Sequence, residues 1–348
     1  MKIAIDAMGG DFAPFEIVKG AAMAAELYSA DIILIGDETA IKKCLPNKYK
    51  NLANISIHHA SEIIEMDDHI DAIRTKKDAS LVVCADMVRK GIADAMIGVG
   101  NTAATMSVAT LKIGRIPGIH RPAISSLFPG IDGPSIMLDL GAVADCDIEN
   151  LVEFAFMGSI YAQKVLKLDK PRVALLSIGE EETKGNEVVK ATHQYLKKTS
   201  LHFIGNIEGR QIYDSYADVI VADGFSGNVV LKVAEGTGNF FKKMVKKLIG
   251  KNILYYIPMM FLLPLFLSIK KKIDYTEYGG APLLGLNGVC IVGHGRSNAK
   301  AVCNAVKAAM DAVNGQLVEN IHEVAKELQT HKDEMKALAE EASSRKSK

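Results

Sequence analysis

The chain has 348 residues, long enough for one large α/β domain or two, and its 49% apolar and 24% charged residues are those of an ordinary globular protein. Its 41 Lys and Arg balance 41 Asp and Glu, so the overall charge gives no reason to expect nucleic acid as a partner, and any basic patch has to be local. Five cysteines, Cys44, Cys84, Cys146, Cys290 and Cys303, lie far apart with no CxxC pair and no Cys/His spacing, which argues against a metal centre or disulfide framework and suits a reducing cytoplasm.

The opening MKIAID has one Lys and then a strand-like run broken by Asp6, without the apolar core of a secretory leader. From there short β-branched runs alternate with longer helical patterns. In chain order, KIAID, DIILIG, NISIH, DAMIGVG, PSIMLDL, RVALLSIG, HFIGN, DVIVAD and GVCIVG read as strands. Several are apolar nearly throughout, as parallel strands buried on both faces are. The alternation predicts βαβ crossovers and a three-layer αβα sandwich with a mostly parallel sheet. No Ser/Gly linker divides the chain. A single αβα domain over 1–330 is therefore expected, with an amphipathic helical hairpin inserted at about 236–274 and a polar tail over 331–348.

The segments just after the strands carry the informative pattern. KIAID leads to AMGGD, DAMIG to VGNT, IMLDL to GAVADC, VALLSI to GEEETKGNE, VIVAD to GFSGN and VCIVG to HGRSN. Two of these, ADAMIGVGNTAAT and ADVIVADGFSGNVV, read as variants of one pattern that sets Asn101 or Asn228 where a helix begins. In a parallel sheet the strand carboxyl ends share one edge, so six glycine-bearing loops are expected to converge there. Such loops suit phosphate, because glycine lets main-chain N–H groups approach an oxyanion and a helix N-terminus adds partial positive charge. The candidate phosphate and substrate contacts are Asp6, Gly9, Gly10, Asp11, Gly100, Thr102, Gly179, Gly185, Asn186, Gly227 and His294. Tight βα turns are the plain alternative for any one of these glycines.

GVGNTA satisfies GxGxxA, but the next segment, RPAISSLFPG, offers no acid for a ribose hydroxyl, so a nicotinamide dehydrogenase is the weaker reading. GEEETKGNE is not a Walker A loop, since Lys184 precedes Gly185 and no Lys-Ser/Thr ending comes after it. No cofactor and no metal is expected.

IAIDAMGGDFAP, GNTAATM, RPAI, FMGSIYA with PRVALLSIGEEETKGNE, FIGNIEGR, ADVIVADGFSGNVVLKVAEG and DYTEYGGAPLLGLNG closely resemble the bacterial phosphate acyltransferase family, the acyl-ACP:phosphate acyltransferases of phospholipid synthesis. The resemblance runs from residue 1 to about residue 320. It implies reversible transfer of a fatty acyl group from acyl carrier protein to inorganic phosphate, giving acyl phosphate for a downstream acyl-phosphate:glycerol-3-phosphate acyltransferase. It also implies a fold similar to phosphotransacetylase and isocitrate dehydrogenase, a homodimer, and a cytoplasmic protein peripherally associated with the membrane. Three departures stand out. LDLGAVADC carries Val143 where the family has Asn, EMDDHIDAIRTKKDAS is shorter and lacks a proline, and HGRSN carries Arg296.

Phosphate is already an anion, so acyl transfer to it needs no Ser-His-Asp triad, and no GxSxG elbow is present. The demand is instead to hold a dianion beside a carbonyl and stabilise the tetrahedral oxyanion with pre-aimed donors. Lys184 is the candidate cation, against the plain alternative of a solvated Lys after Glu180, Glu181 and Glu182. Asn228 and Asn101 are candidate amide donors, or else helix caps. Asp223 is the candidate to orient Lys184 or an Asn amide. Asp6 and Asp11 are expected to hold a cation or main-chain N–H groups in place. His294 is a candidate proton donor to the leaving thiolate, and Cys146 is discounted as an acyl carrier for want of a nearby base.

A second stretch stands apart. Lys242, Lys243, Lys246 and Lys247 share one helical face, opposite Phe240, Phe241, Met244, Val245 and Leu248. ILYYIPMMFLLPLFLSI comes next, with Pro258 and Pro264 inside it, and then Lys270, Lys271 and Lys272. The run is too short and too interrupted to span a bilayer. A projecting hairpin is expected, its tip at Met260 and Leu263 dipping into a membrane surface and its lysines meeting anionic headgroups or acyl carrier protein. A non-catalytic phospholipid-binding protein is the third reading, from outside the enzymes.

Overall fold

The computed structural model describes residues 1–50, 52–65, 68, 71–249, 262, 264–265 and 279–330. Met260, Leu263, Lys270, Lys271, Lys272 and the tail 331–348 lie outside them. The described elements run β1 (Lys2–Asp6), α1 (Phe15–Tyr28), β2 (Asp31–Gly36), α2 (Glu38–Cys44), β3 (Ile55–His59), α3 (Ala72–Thr75), α4 (Ser80–Arg89), β4 (Ala95–Gly100) and α5 (Thr102–Lys112) in the first part. Next come β5 (Ala123–Phe128), β6 (Ser135–Leu138), α6 (Ile148–Lys164), β7 (Val173–Leu176), α7 (Glu187–Leu196), β8 (Phe203–Ile207), β9 (Val219–Val221) and α8 (Gly224–Ile249). β10 (Ala281–Leu284), β11 (Val289–His294), α9 (Ala299–Asn314) and α10 (Leu317–Thr330) complete the chain.

The strands form one eleven-stranded sheet in the order β3-β2-β1-β4-β11-β10-β5-β6-β9-β7-β8. Apolar side chains alternate between its two faces: Ile3 and Ile5 join one buried cluster, with residues of α1, α6, α9 and α10, while Ala4 joins the other, with residues of α4 and α5. Both faces are thus covered, which is why these strands read as continuous apolar runs. The mostly parallel αβα layering expected from the alternation is what forms.

Strand direction is where the expectation has to be corrected. β11 pairs antiparallel with β10, β10 with β5, and β5 with β6. The block β3-β2-β1-β4-β11 is parallel within itself, and so is the block β6-β9-β7-β8. Three reversals in succession make the two blocks run in opposite directions. The six glycine-bearing loops therefore leave the sheet as two sets of three, from opposite edges, rather than converging at one.

Candidate functional site

The first set comes after β1, β4 and β11 and is tied together by its own main chain. Asp6, buried at the end of β1, accepts the Met8 N–H at 3.1 Å and the Ser80 hydroxyl at 2.6 Å. Burial pushes its carboxyl up to about 6 in spite of these donors. The Asp11 N–H donates to the Gly295 carbonyl at 2.8 Å, and Arg296 Nε lies 3.7 Å from Asp11 Oδ2. The adjacent glycines pack loop on loop: a Cβ on Gly9 would meet the Val99 carbonyl oxygen at 2.1 Å, and Gly10 has φ +94° beside Val99 and Gly295. Their small size is used by a neighbouring loop. Asn101 caps α5, its Oδ1 accepting the Ala104 N–H at 3.0 Å, with Gly100 buried before it and Thr102 exposed after it. His294, exposed at the end of β11, accepts the Arg296 N–H on Nδ1 at 3.1 Å.

The second set comes after β6, β9 and β7, three neighbours in the sheet. Asp139 organises it. Its Oδ1 accepts N–H groups of Ile124, Gly141 and Ala142 at 3.0, 3.2 and 3.1 Å, and its Oδ2 that of Val143 at 2.7 Å. Burial raises this carboxyl even against four main-chain donors. The start of α8 sits on the same loop, where the Gly224 N–H donates to the Val143 carbonyl at 2.8 Å and a Cβ on Gly227 would stand 1.9 Å from the Asp139 carbonyl oxygen. Asn228 is exposed on the second turn of α8, with its Nδ2 where a Cβ on Gly141 would approach to 2.7 Å.

Two expectations are corrected here. Asn228 does not begin a helix, since α8 starts four residues earlier. Asp223 does not orient Lys184 or an amide: its two oxygens take the N–H and hydroxyl of Ser226, each at 2.8 Å, as a helix cap does. Asn186 likewise caps α7 through the Val189 N–H at 2.8 Å.

Lys184 is exposed on the β7–α7 loop beside Gly179, and Gly185 comes next with φ +98°. Two of the three preceding glutamates are paired elsewhere, Glu180 with Arg210 and Glu182 with Lys197. Among the described residues the Lys184 ammonium has no ion-pair partner. Lys184, Asn228 and Asp223 thus share the second edge, and Asn101, Asp6, Asp11 and His294 the first.

An open cleft of about 540 Å³ adjoins the second edge. Arg115, His120 and Arg121 line it together with Asp145, Cys146, Asp147 and Asn150. The first three lie on the loop leading into β5, whose start pairs with the end of β6 and so brings the loop to this edge. Behind them Glu153, buried in α6, accepts the His120 N–H and faces the ring Nδ1 at 2.5 Å. Burial drives the Glu153 carboxyl up to about 7. Cys146 donates its thiol to the Val143 carbonyl at 3.4 Å, and burial pushes that thiol up to about 12, which makes it a poor nucleophile. Sequence reasoning passed over Arg115, His120, Arg121 and Glu153. HRPAI carried the only signal, an Arg before a proline.

The sheet order and layering define an α/β fold shared with acyl-transferring enzymes. A phosphotransacetylase from Streptococcus pyogenes superposes with a TM-score of 0.60 at 18% identity, over 92% of this chain and 94% of that one. 4-Hydroxythreonine-4-phosphate dehydrogenase from Klebsiella pneumoniae shares the same fold with a TM-score of 0.51 at 12% identity, over 89% and 98%. Fold alone therefore does not choose between the two chemistries. Residues 1–320 match the model of the family described as "Fatty acid synthesis protein", and the chain belongs to that family. It is 46% identical to a phosphate acyltransferase of Desulfitobacterium hafniense over 323 residues, 92% of this chain and 96% of that one. With a phosphate acyltransferase of Pelotomaculum thermopropionicum it shares 48% over 322 residues, 92% and 94% of the two chains. The chain is an acyltransferase of lipid biosynthesis.

Proposed function

We propose that the chain transfers a fatty acyl group from acyl-[acyl carrier protein] to inorganic phosphate at the edge of β6, β9 and β7, forming acyl phosphate for phospholipid synthesis. A phosphate oxygen bonds to the carbonyl carbon, the carbon–sulfur bond breaks, and the carrier thiolate takes up the proton that the phosphate hydroxyl gives up. The observation that carries this reading is the pair of Lys184, an exposed ammonium on the loop after β7 without an ion-pair partner among the described residues, and Asn228, an exposed amide near the start of the helix that comes after the neighbouring β9. Lys184 offsets the phosphate charge and Asn228 donates to the developing oxyanion, a type of contact typically worth ~3 kcal/mol in the transition state. Asp139, through the loop it holds, keeps Asn228 in place.

The product then passes to an acyl-phosphate:glycerol-3-phosphate acyltransferase. The same reading makes the protein a homodimer in the cytoplasm, held at the membrane surface through α8. Phe240, Phe241, Met244 and Leu248 are exposed on that helix, with Lys242, Lys243, Lys246 and Lys247 on the other face. Among the described residues no helix is long and apolar enough to cross a membrane.

The test is incubation of palmitoyl-[acyl carrier protein] and phosphate with the pure protein, trapping acyl phosphate with hydroxylamine. Phosphate-dependent hydroxamate is the expected result. Donor that stays intact with phosphate present would sink the proposal and leave a binding role.

A further inference from the structure

The wall of the 540 Å³ cleft is built more firmly than a surface loop requires. Glu153 is buried in α6, yet both its oxygens lie within 3.2 Å of the His120 main-chain nitrogen, and its Oε1 faces His120 Nδ1, which fixes the residue just before Arg121. The guanidinium of Arg115 donates to the His120 carbonyl, closing the same loop from the other side. Pro122 then restricts the backbone of Arg121. The ring Nε2 of His120 stands 3.4 Å from Glu149. All of these fixings converge on two residues, and the side chain they leave at the cleft is Arg121. It is exposed, and its guanidinium makes no hydrogen bond or ion pair among the described residues.

A guanidinium is a planar fork of donors that fits the oxygens of phosphate two at a time, and it stays charged at any pH the protein meets. Two carboxylates also line the cleft. Asp147 is turned to the first turn of α6, accepting the Asn150 N–H at 2.8 Å, which leaves the exposed Asp145 as the opposing charge at the rim.

We propose that this cleft is a phosphate-anion subsite in which Arg121 holds the anion and Glu153, through the main chain, positions Arg121. Cys146 on the cleft wall contacts the Val143 carbonyl that also receives the Gly224 N–H at the start of α8, which ties the wall to the loop of the proposed transfer site. Only the question of which phosphate occupies it rests on the acyl-transfer reading. The acceptor, inorganic phosphate, and the phosphodiester of a carrier protein's pantetheine arm share the chemistry.

The experiment is calorimetric titration of the full-length protein with inorganic phosphate and, separately, with phosphopantetheine, at fixed ionic strength. Arg121→Ala is expected to weaken one of the two by about tenfold or more, the loss of a charge-assisted contact. Asp145→Asn is expected to tighten the same ligand. Weakening confined to inorganic phosphate assigns the cleft to the acceptor, and weakening confined to phosphopantetheine assigns it to the donor. Arg121 is exposed, so its replacement leaves the core as it is. Glu153→Gln, which keeps one acceptor oxygen, is expected to weaken the ligand less than Glu153→Ala and to raise the KM for that substrate without lowering kcat. Unchanged affinity for both ligands in Arg121→Ala overturns the proposal. Binding requires no turnover, so intact affinity changes without acyl phosphate formation would sink the transfer reading alone.

Discussion

Asp139 at the end of β6 accepts the main-chain N–H of Ile124 in β5 at 3.0 Å, across the antiparallel pair that reverses the sheet. The same carboxylate gathers the loop after β6, against which the start of α8 packs, so one buried side chain joins the seam of the fold to the proposed site. Asp139→Asn replaces one acceptor oxygen with a donor facing N–H groups. The expected cost is ~2 kcal/mol or more from unsatisfied buried groups, read as a lower denaturant midpoint, with a fall in activity alongside. Wild-type stability in that variant would show that the loop holds itself.

Asp6 is expected to govern the acid limb of stability. Its carboxyl lies near 3.8 when unfolded and at about 6 in the folded protein. The folded state therefore holds the proton more tightly, and this group favours folding most below about pH 4, an advantage lost as pH rises to about 6. Over that window the change is roughly 3 kcal/mol at most. Asp6→Asn is expected to flatten this part of the stability–pH curve, measured by urea titration at several pH values. An unaltered curve would mean that Asp6 titrates normally.

Lys184→Ala and Asn228→Ala are expected to lower kcat/KM by about tenfold to a hundredfold or more each, as lost charge and oxyanion contacts do. Asn101→Ala, at the opposite edge, is expected to cost ~1 kcal/mol of stability as a lost helix cap while leaving kcat nearly unchanged. Equal kinetic losses at both edges would require one site built from both, and would defeat the division drawn from strand direction.

Gly227→Ala is expected to destabilise by ~2 kcal/mol or more, because its Cβ would stand 1.9 Å from the Asp139 carbonyl oxygen. Gly133→Ala, with nothing within 4 Å of the added carbon, serves as the control and is expected to be neutral or slightly stabilising. Thermal melts of the two variants distinguish packing from ligand approach as the reason for glycine. A stable Gly227→Ala enzyme that has lost phosphate affinity would restore the ligand reading.

Replacing Phe240 and Phe241 with Glu is expected to abolish sedimentation with anionic vesicles, and high salt is expected to release the wild-type protein. Vesicle binding that survives both treatments would remove α8 from the membrane contact.

The parallel strands were legible because burial on both faces leaves an unbroken apolar run, as in AMIGVG of β4, where all six residues are buried. The two strands that escaped notice are β5 and β10. AISSLF is interrupted by Ser125 and Ser126, and APLL is four residues long with a proline. The Ser125 hydroxyl is satisfied by the Pro282 carbonyl of β10 at 3.0 Å, a partner far away in sequence. These are the strands that reverse the sheet, so missing them led to a single convergent edge. Glycine loops and Lys184 could be named from local sequence, whereas the role of Glu153 depends on a loop more than thirty residues away. Asp223, expected to orient Lys184 or an amide, and Asn186, expected to contact phosphate, instead take the N–H groups of the helices they cap, which local sequence does not distinguish.

The chain's return path has a consequence for its synthesis. β4 is flanked by β1 and β11, and β11 begins at Val289, long after β4 has left the ribosome. Until it arrives, the N-terminal block carries a bare, apolar strand edge, the kind of surface on which growing chains stick to one another. Translation that stalls before Val289 would leave every copy with that edge uncovered.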